Sequence, residues 1–360
     1  MAWTLLLIGA TLAVPPGSGG PLQVDRLYHG VGKPLSVTVG PVDVDQVELV
    51  LLAADGSPLS PAVAVTPGRV DVSTLLPEVD RLEKACYLQC IAGGEPVGSA
   101  LVIQPLLSRV APRTEQARRP DGTPYTRIVG WGPAPAGDDP DEQLEQLEQQ
   151  LVQAVQVSAG LRVYLDRDVV LHTTLGDIVV AMRPDIAPNT VWNFLHLAEG
   201  GYYDGVTFHR VVPLTRQGHP FVIQGGDPSG TGEGEPGYWL PIEPSSLAHE
   251  FGVISMARGD APDSAGGQFF FCLSRAGTAR LDGQYCAFGY AVDGATTIRS
   301  IAAVELADVA SGRPADPPVV TRARTVPAPP RTPAVGRPDR PVAEARALRP
   351  VETQPDRIPR

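Results

Sequence analysis

The sequence predicts a mainly β protein of two domains. Its 360 residues exceed the size of an ordinary single domain. Short apolar or alternating runs recur between Gly, Pro and Asp turn signals, a pattern typical of strands joined by tight turns. A polar stretch rich in Pro, Gly and Arg at residues 112–137 divides these runs into two groups. We therefore expect one β domain on each side of this stretch.

The N-terminal sequence, MAWTLLLIGATLAVPPGSGG, contains an apolar run of the length found in secretory signal peptides. The run is too short to cross a membrane as a helix, so no stable membrane span is predicted. We expect residues 1–20 to be a signal peptide and the protein to be exported to the periplasm or the extracellular space. A buried N-terminal strand is the alternative interpretation.

Residues 21–110 carry strand-like runs at the regular spacing of a β-sandwich, which favours an immunoglobulin-like fold. The runs lie at residues 35–39, 46–52, 69–72, 85–91 and 99–103. They contain no clustered histidines and no paired carboxylates at a strand end. We interpret this domain as an accessory or adhesion module.

Residues 111–160 are predicted to form a linker followed by an amphipathic helix. Asp139 is a suitable N-cap, Pro140 occupies the first helical position, and Leu144, Leu147 and Leu151 follow at helical spacing. The second domain then covers residues 161–326. Residues 327–360 alternate Pro, Ala and Arg with few large apolar side chains, so we expect a disordered tail.

The composition argues against several classes of function. The formal net charge of −11 disfavours a nucleic-acid partner, because phosphate binding needs a basic face. Neither the six histidines nor the four cysteines follow a metal-binding pattern. Buried free thiols are the expected state of the cysteines. We therefore predict no metal and no cofactor.

The segment 206–227, VTFHRVVPLTRQGHPFVIQGGD, places Arg210 before an apolar run that ends in Gln-Gly-Gly-Asp. A lone cation beside an apolar wall, with no nucleophile, suits a reaction that breaks no covalent bond, such as rotation about an X-Pro peptide bond. The barrier to this rotation, about 18–20 kcal/mol, comes from amide resonance. A guanidinium that donates a hydrogen bond to the prolyl nitrogen lowers it, because that lone pair becomes available only as the amide twists. Arg210 is therefore the candidate catalytic residue.

The proline ring of such a substrate needs an apolar socket. Gln224 can hold the arginine or a substrate carbonyl, and Gln268 can bind the substrate backbone while the residue two positions on faces the same side of a strand. The candidates for the socket wall are Phe221, Val222, Phe270 and Leu281.

Two neighbouring features are given structural interpretations. His209 is expected to make a structural hydrogen bond, because this reaction transfers no proton. The glycine-rich residues 225–234 lack the Gly-Lys-Ser/Thr of a phosphate-binding loop. We interpret them as the flexible rim of the substrate groove.

Several short motifs together resemble the cyclophilin-type peptidyl-prolyl cis–trans isomerases over residues of about 169–326. The motifs are TTLGDI at 173–178, APNTVWNF at 187–194, GYYDGVTFHR at 201–210, ISMA at 254–257, QFF at 268–270 and LDG at 281–283. The resemblance implies an eight-stranded antiparallel β-barrel closed by two helices, isomerase activity without a cofactor, and proline-containing polypeptides as partners. It implies that Arg210 is catalytic and that the groove is lined by Phe221, Val222, Gln224, Ala257, Gln268, Phe270, Leu281 and Tyr285.

The sequence departs from the family pattern at three places. Phe221 follows Arg210 by eleven residues, further than the family places its pocket phenylalanine, so residues 214–220 are an insertion. Arg280 stands where animal members often carry a tryptophan tied to cyclosporin binding, which predicts weak cyclosporin binding. Tyr285 replaces a common histidine and can still donate a hydrogen bond.

The leading hypothesis is an exported peptidyl-prolyl isomerase that assists protein folding outside the cytoplasm. A barrel that binds proline-containing segments with little catalysis is the alternative, and the insertion at 214–220 is the feature that favours it. A surface adhesion protein that acts through its N-terminal domain is a third interpretation.

Overall fold

A computed structural model of the protein describes residues 20–42, 44, 46–108, 112–131, 157–338 and 340–342. The described residues form two compact units. The first contains the residues up to Leu165 together with Pro330–Arg337, and the second contains Asp166–Pro329 and the described residues from Pro338 onward. The predicted signal peptide, except Gly20, and the helix predicted around residues 139–155 lie outside the described residues.

The first unit is built from antiparallel strands in two larger sheets and one hairpin. The three-stranded sheet has the order β1-β3-β6, the six-stranded sheet the order β2-β11-β8-β7-β4-β5, and β9 pairs with β10. A short helix, α1 (Val72–Leu75), and a 3-10 turn at Pro77–Arg81 follow β6. The strands are β1 Leu22–Val24, β2 Tyr28–Gly30, β3 Ser36–Val39, β4 Val47–Leu52, β5 Val63–Val65, β6 Gly68–Asp71, β7 Cys86–Ala92, β8 Glu95–Ser108, β9 Pro112–Arg118, β10 Pro124–Trp131 and β11 Val157–Leu165.

One aliphatic core joins the two larger sheets of the first unit. Val37 and Val39 of β3 pack in the same buried cluster as Leu49 of β4 and Leu88 of β7. The alternating or continuous apolar runs of these strands supply the inward-facing side chains. Two sheets over one core agree with a mainly β domain, and the immunoglobulin-like topology stays a prediction.

The predicted boundary at residue 161 is wrong. Leu161 and Val163 are buried, and β11 pairs with β8 from Val157 to Leu165, so the first unit extends to Leu165. Residues 112–131, predicted as linker, form the β9–β10 hairpin. The Pro, Gly and Arg content of this stretch is typical of a linker, so it did not predict the two strands. They are joined by a turn at Asp121-Gly122.

The predicted disordered tail is also wrong for the residues described there. The last long strand of the second unit continues to Pro327, and Arg331 is 1% exposed within the first unit. The Arg331 guanidinium lies 3.2 Å from the centroid of the Tyr87 ring, and its backbone N–H donates to Gln89 Oε1 at 2.9 Å. Composition indicated disorder because it counts arginine as polar, whereas here the long stem and the planar head are packed against an aromatic ring.

The second unit is dominated by one antiparallel sheet with the strand order β14-β22-β12-β13-β19-β17-β18-β16-β15, beside the short pair β20–β21. Its helices are α2 Pro188–Glu199, α3 Arg275–Thr278 and α4 Ala295–Ala302, with a 3-10 turn at Ala279–Leu281. The strands are β12 Arg167–Thr173, β13 Gly176–Met182, β14 Val206–Thr207, β15 Arg210–Val212, β16 Val222–Gly225, β17 Val253–Met256, β18 Phe269–Cys272, β19 Ala287–Asp293, β20 Leu306–Asp308, β21 Arg313–Pro314 and β22 Val319–Pro327.

The large sheet curls until its two edges meet. The edge strands β14 and β15 are consecutive in the chain and are separated by Phe208 and His209 alone. A further bridge joins Thr207 to Asp227, just beyond the end of β16. Counted as one broken strand, β14 and β15 give the eight strands expected of the barrel, and the break lies directly before Arg210.

Helix α2 and a set of aromatic side chains fill the space beneath the sheet. Pro188 occupies the first turn, where its missing N–H costs nothing, and the Glu243 carboxylate accepts hydrogen bonds from the next two backbone N–H groups. Phe194 packs against Phe269 and Phe288 with ring centroids 5.6 and 5.0 Å apart. This rigid interior supports β18, one of the strands that carry the site.

The four cysteines are buried and free, as the sequence predicts. Burial raises the pKa of each thiol, to about 11 for Cys90 and Cys286. They therefore act as small apolar side chains. Among the described residues, no helix has the length and apolar character needed to cross a membrane.

Candidate active site

Strand register brings the main candidate residues into one row. Arg210 on β15 is paired with Gln224 on β16, and Gln224 is paired with Phe270 on β18. Directly paired residues on neighbouring strands project from the same face of a sheet. The guanidinium, the amide and the aromatic ring therefore project side by side, although their positions in the sequence are far apart.

A chain of hydrogen bonds fixes the arginine. Arg210 Nη1 donates to Gln224 Oε1 at 3.0 Å, and Gln224 Nε2 donates to Gln268 Oε1 at 3.0 Å. Gln268 Nε2 in turn donates to the backbone carbonyls of Gly232 and Gly234 at 2.9 and 3.1 Å. In this relay, which runs from Arg210 through Gln224 to Gln268, each glutamine accepts a hydrogen bond through its amide oxygen and donates one through its amide nitrogen. The relay therefore fixes the position of the Arg210 guanidinium.

These residues surround a cavity of about 360 Å³. Arg210 and seven of the eight residues expected in the groove line it, while Gln268 lies behind Gln224 in the relay. The lining residues are Arg210, Phe221, Val222, Gln224, Ala257, Arg258, Phe270, Arg280, Leu281, Gln284 and Tyr285.

The apolar side of the cavity is packed rather than open. Phe270 and Leu281 are buried in a cluster that also contains Val222 and Ala257. The Tyr285 ring meets Phe270 edge to face, with centroids 5.7 Å apart. A wall of this kind can hold a small apolar ring against Arg210 without rearrangement.

Arg210 is half-buried, and burial lowers the pKa of its guanidinium from the ordinary value. The group stays charged at neutral pH because its ordinary pKa is so high. Within the described part of the chain, its side-chain partner is the neutral Gln224 amide and not a carboxylate. The charge is therefore available to a ligand in the cavity.

His209 is expected to make a structural hydrogen bond, and its ring is buried beside the Thr207 backbone. The side chain is 9% exposed, and neither ring nitrogen makes a hydrogen bond of good geometry within the described residues. Burial lowers the pKa of the imidazole despite the nearby Asp227 carboxylate, so the ring is neutral at neutral pH. It fills the break between β14 and β15 as a packed ring.

The glycine-rich rim is held more tightly than the sequence predicts. Asp227 is fully buried and accepts hydrogen bonds from the Ser229 N–H and hydroxyl and from the Gly232 N–H. These donors hold the pKa of this carboxyl well below its usual range. A Cβ on Gly234 would lie 1.9 Å from Asp227 Oδ1, which shows why glycine stands there. The rim therefore forms a cradle, residues 227–234, around the Asp227 carboxylate. Its Gly232 and Gly234 carbonyls also accept the hydrogen bonds of Gln268.

The insertion at residues 214–220 stays outside the cavity. It closes on itself through the Thr215 N–H donating to the His219 carbonyl at 2.7 Å, and Ser274 Oγ anchors the Pro220 carbonyl. Leu214 is exposed, and none of the residues 214–220 lines the cavity. Phe221 consequently reaches the lining despite its distance from Arg210 in the sequence.

His249 supports the site, a role that its sequence context does not indicate. Its ring stacks on Phe270 with centroids 6.1 Å apart, and its nitrogens lie 2.9 Å from Asp282 Oδ1 and 3.0 Å from Ser255 Oγ. Burial lowers the pKa of His249, while Asp282 opposes the change. Only the register of β17 and β18, which pairs Ser255 with Phe270, reveals this arrangement.

Arg258 and Gln284 were not predicted to lie in the groove, and Arg280 was predicted to matter only for cyclosporin binding. All three line the cavity. The described residues contain no group of three or more His, Cys, Asp or Glu that could hold a metal ion.

Comparison with known proteins assigns the second unit to a family. The family described as cyclophilin-type peptidyl-prolyl cis-trans isomerase/CLD matches residues 168–325. A peptidyl-prolyl cis-trans isomerase of Synechococcus elongatus is 42% identical over 124 residues, which are 34% of this chain and 79% of that protein. A putative peptidyl-prolyl cis-trans isomerase of Staphylococcus aureus is 37% identical over 164 residues, covering 37% of this chain and 80% of the relative. The chain belongs to the cyclophilin-type peptidyl-prolyl isomerase family through its second unit.

Other relatives match over a small part of their length. Peptidyl-prolyl cis-trans isomerase-like 2 of Cryptococcus neoformans is 40% identical over 143 residues, which are 38% of this chain and 23% of the relative. A solved structure of a Cryptosporidium parvum cyclophilin-type isomerase in the presence of the dipeptide Ala-Pro has 30% identity and a TM-score of 0.40, covering 44% of this chain and 97% of that one.

Proposed function

We propose that the protein is a peptidyl-prolyl cis–trans isomerase that acts on proline-containing polypeptides. The observation that carries the proposal is the half-buried, charged Arg210, held by Gln224 at the edge of a cavity walled by Phe270 and Leu281. Family membership of the second unit supports the same activity.

The geometry supports catalysis by a change in hydrogen bonding alone. The apolar wall takes the pyrrolidine ring, and the Arg210 donors that Gln224 leaves free point a positive charge at the prolyl nitrogen. As the amide twists, that nitrogen regains its lone pair and becomes a better acceptor, so the contact strengthens in the transition state. The relay through Gln224 and Gln268 places the guanidinium beforehand and so reduces reorganisation during the step.

Replacing Arg210 tests this function most directly. In a protease-free assay of an X-Pro peptide with the full chain, we expect Arg210→Ala to lower kcat/KM by roughly 10²–10³-fold, the cost of losing one transition-state donor. Arg322→Ala is the matched control, because Arg322 is an exposed arginine on β22 outside the cavity lining. Wild-type turnover in the Arg210 variant, with its fold preserved, would refute the mechanism.

The same proposal extends to folding assistance outside the cytoplasm. It rests on the apolar run in residues 1–20. Expression of the full chain and of a variant lacking residues 2–19, followed by fractionation, tests it: the full chain alone should be exported and lose its N-terminal segment. Recovery of both proteins in the cytoplasm with intact N-termini would contradict export.

The proposal for the first unit is an immunoglobulin-like accessory module. Its two antiparallel sheets over one aliphatic core support this interpretation. If the role of the module is accessory, a variant that lacks it should keep X-Pro turnover. An experimental structure of the unit would test the topology.

Weak cyclosporin binding is part of the same proposal. The Arg280 guanidinium lies 4.9 Å from the Phe221 ring centroid, so an exposed charged group covers the aromatic face at this edge of the cavity. A large apolar ligand must leave that charge solvated or displace it. Inhibition of turnover at nanomolar cyclosporin would contradict this expectation.

A further inference from the structure

The cavity has an unusual charge for this protein. The whole chain carries a formal net charge of −11, yet three arginines and no Asp or Glu occur among the described residues that line the cavity. Arg210 serves the proposed reaction, whereas Arg258 and Arg280 have no part in it. Cations grouped along a concave, partly apolar surface concentrate a positive potential there.

Arg258 is fixed without being neutralised. Its guanidinium donates to the backbone carbonyls of Gln284, Gly259 and Asp260 at 2.8–3.2 Å. The same group lies 4.7 Å from the centroid of the Tyr285 ring. Carbonyls and an aromatic face hold the side chain in place but leave its full positive charge unpaired.

Arg280 also lies against an aromatic ring, on another part of the lining. It is exposed and lies over Phe221, and it forms no ion pair within the described part of the chain. The nearest acidic residue in sequence, Asp282, is engaged by Arg275 at 2.6 Å and by His249 at 2.9 Å. Helix α3 thus contains an arginine, Arg275, that is neutralised outside the cavity, and the 3-10 turn after it contains another, Arg280, that is left charged on the lining.

We propose that the groove selects proline-containing segments with an acidic side chain next to the proline, and that Arg280 and Arg258 determine this specificity. The inference rests on the proposed function of the cavity as an X-Pro site. The recognised group is a carboxylate on the polypeptide substrate. Each guanidinium is held against an aromatic wall, so little side-chain freedom is lost when a carboxylate binds.

Such a contact acts on binding more than on the rotation step. A carboxylate beside the proline meets the same guanidinium in the cis form, the trans form and the twisted form, so it stabilises all three alike. The preference should therefore appear in KM and not in kcat. For a partly exposed ion pair we expect a change of roughly two- to fivefold per arginine.

The test uses the full chain and three peptides that differ only at one position next to a common proline, where they carry Glu, Gln or Lys. The substitution is made before the proline in one set and after it in another. We expect kcat/KM to fall in the order Glu, Gln, Lys in at least one set, by roughly tenfold from first to last. Raising the ionic strength from low salt to about 1 M, where the Debye length is about 3 Å, should compress this range.

Charge reversal provides the sharper test. Arg280→Glu alone and Arg258→Gln should each narrow the range, because one arginine remains on the lining, and Arg280→Glu combined with Arg258→Glu should invert the order, with Lys peptides preferred over Glu peptides. Arg322→Glu makes the same charge change outside the lining and should keep the wild-type order. A loss of fold cannot produce inversion, so this readout separates specificity from damage.

The outcomes distinguish this inference from the proposed function. Equal turnover of the three peptides in both sets would overturn the inference and leave isomerisation intact. Absence of turnover for every peptide would overturn the proposed function. Peptide affinities from NMR titration would then still decide the charge preference, and equal affinities would overturn it.

Discussion

The two units of the chain are both antiparallel β structures, but they bury different kinds of side chain. The core cluster of the first unit consists of Val, Leu, Ile and Cys only, from Leu22 to Val163. The interior of the second is centred on aromatic rings such as Phe194, Phe269 and Phe288. The rings of the second unit pack at tilted or edge-to-face angles, the arrangements that aromatic pairs prefer.

The candidate site lies in the second unit. In this unit, aromatic side chains such as Phe270 line a cavity. The polar side chains of Arg210, Gln224 and Gln268 form hydrogen bonds with one another beside it. Buried polar groups are tolerated when each has a partner, so the relay can be pre-organised at low cost. The first unit is held together by its aliphatic core. The second unit has a packed core and, in addition, the pre-organised guanidinium of Arg210.

The largest expected effect concerns the one strongly buried arginine of the strap at Pro330–Arg337. Arg331→Ala should lower the stability of the first unit by about 2–4 kcal/mol, because the variant loses a desolvated cation–π contact and leaves a cavity beside Tyr87. Hydrogen exchange followed by mass spectrometry on the full chain measures this as faster exchange in β7 and β8. Exchange in β17 and β18 of the second unit should not change.

Val335→Ala is the control for this change. Val335 lies in the same strap and is 64% exposed, so its truncation should alter stability by less than about 0.5 kcal/mol. Equal acceleration of exchange in both units of the Arg331 variant would contradict the assignment of the strap to the first unit alone.

The sequence predicted five of the eleven strands described in the first unit, because the apolar runs of these five are local signals. The runs at 46–52 and 85–91 correspond to Val47–Leu52 and Cys86–Ala92 in the structure. It could not predict the buried position of Arg331, because the Tyr87 ring that receives it is more than two hundred residues away in sequence. Long-range partners of this kind leave no periodic pattern.

The same distinction holds in the candidate site. Arg210 and Gln224 belong to one short segment, and the family resemblance supplied Phe270 and Leu281 as lining residues that the structure brings together with them. The support of Phe270 by His249, and the placement of Arg258 over Tyr285, depend on contacts between separate loops and strands. No spacing rule encodes such contacts, so the sequence analysis missed them.

An intermediate effect is expected at the carboxylate beneath the rim of the groove. Asp227→Asn should destabilise the second unit by about 2–3 kcal/mol at neutral pH, because an amide cannot accept all the hydrogen bonds that the buried carboxylate receives. The pKa of Asp227 in the folded protein lies well below its usual range. The carboxylate therefore stabilises the fold above the unfolded-state pKa of about 4, and this contribution is lost as the pH falls below that value.

Urea unfolding of the full chain at pH 7 and at successively lower pH values measures this difference. The gap between wild type and Asp227→Asn should narrow as the pH falls below about 4. Asp316→Asn, at an exposed carboxylate, should show no comparable gap at any pH. A gap that stays constant from pH 7 to pH 3 would mean that the Asp227 charge is not what the cradle stabilises.

The smallest effect is expected at the insertion, and it separates a peripheral loop from a functional one. Leu214→Ser should change X-Pro turnover by less than about twofold and stability by less than about 0.5 kcal/mol, because Leu214 is 57% exposed and outside the cavity lining. Steady-state kinetics on the full chain and urea unfolding check both values. A strong fall in turnover at unchanged stability would show that the loop reaches the substrate, and would revive the interpretation of this barrel as a binding module shaped by its insertion. The expected near-zero effect would mean that turnover depends on Arg210 and its hydrogen-bond relay through Gln224 and Gln268, and not on the insertion.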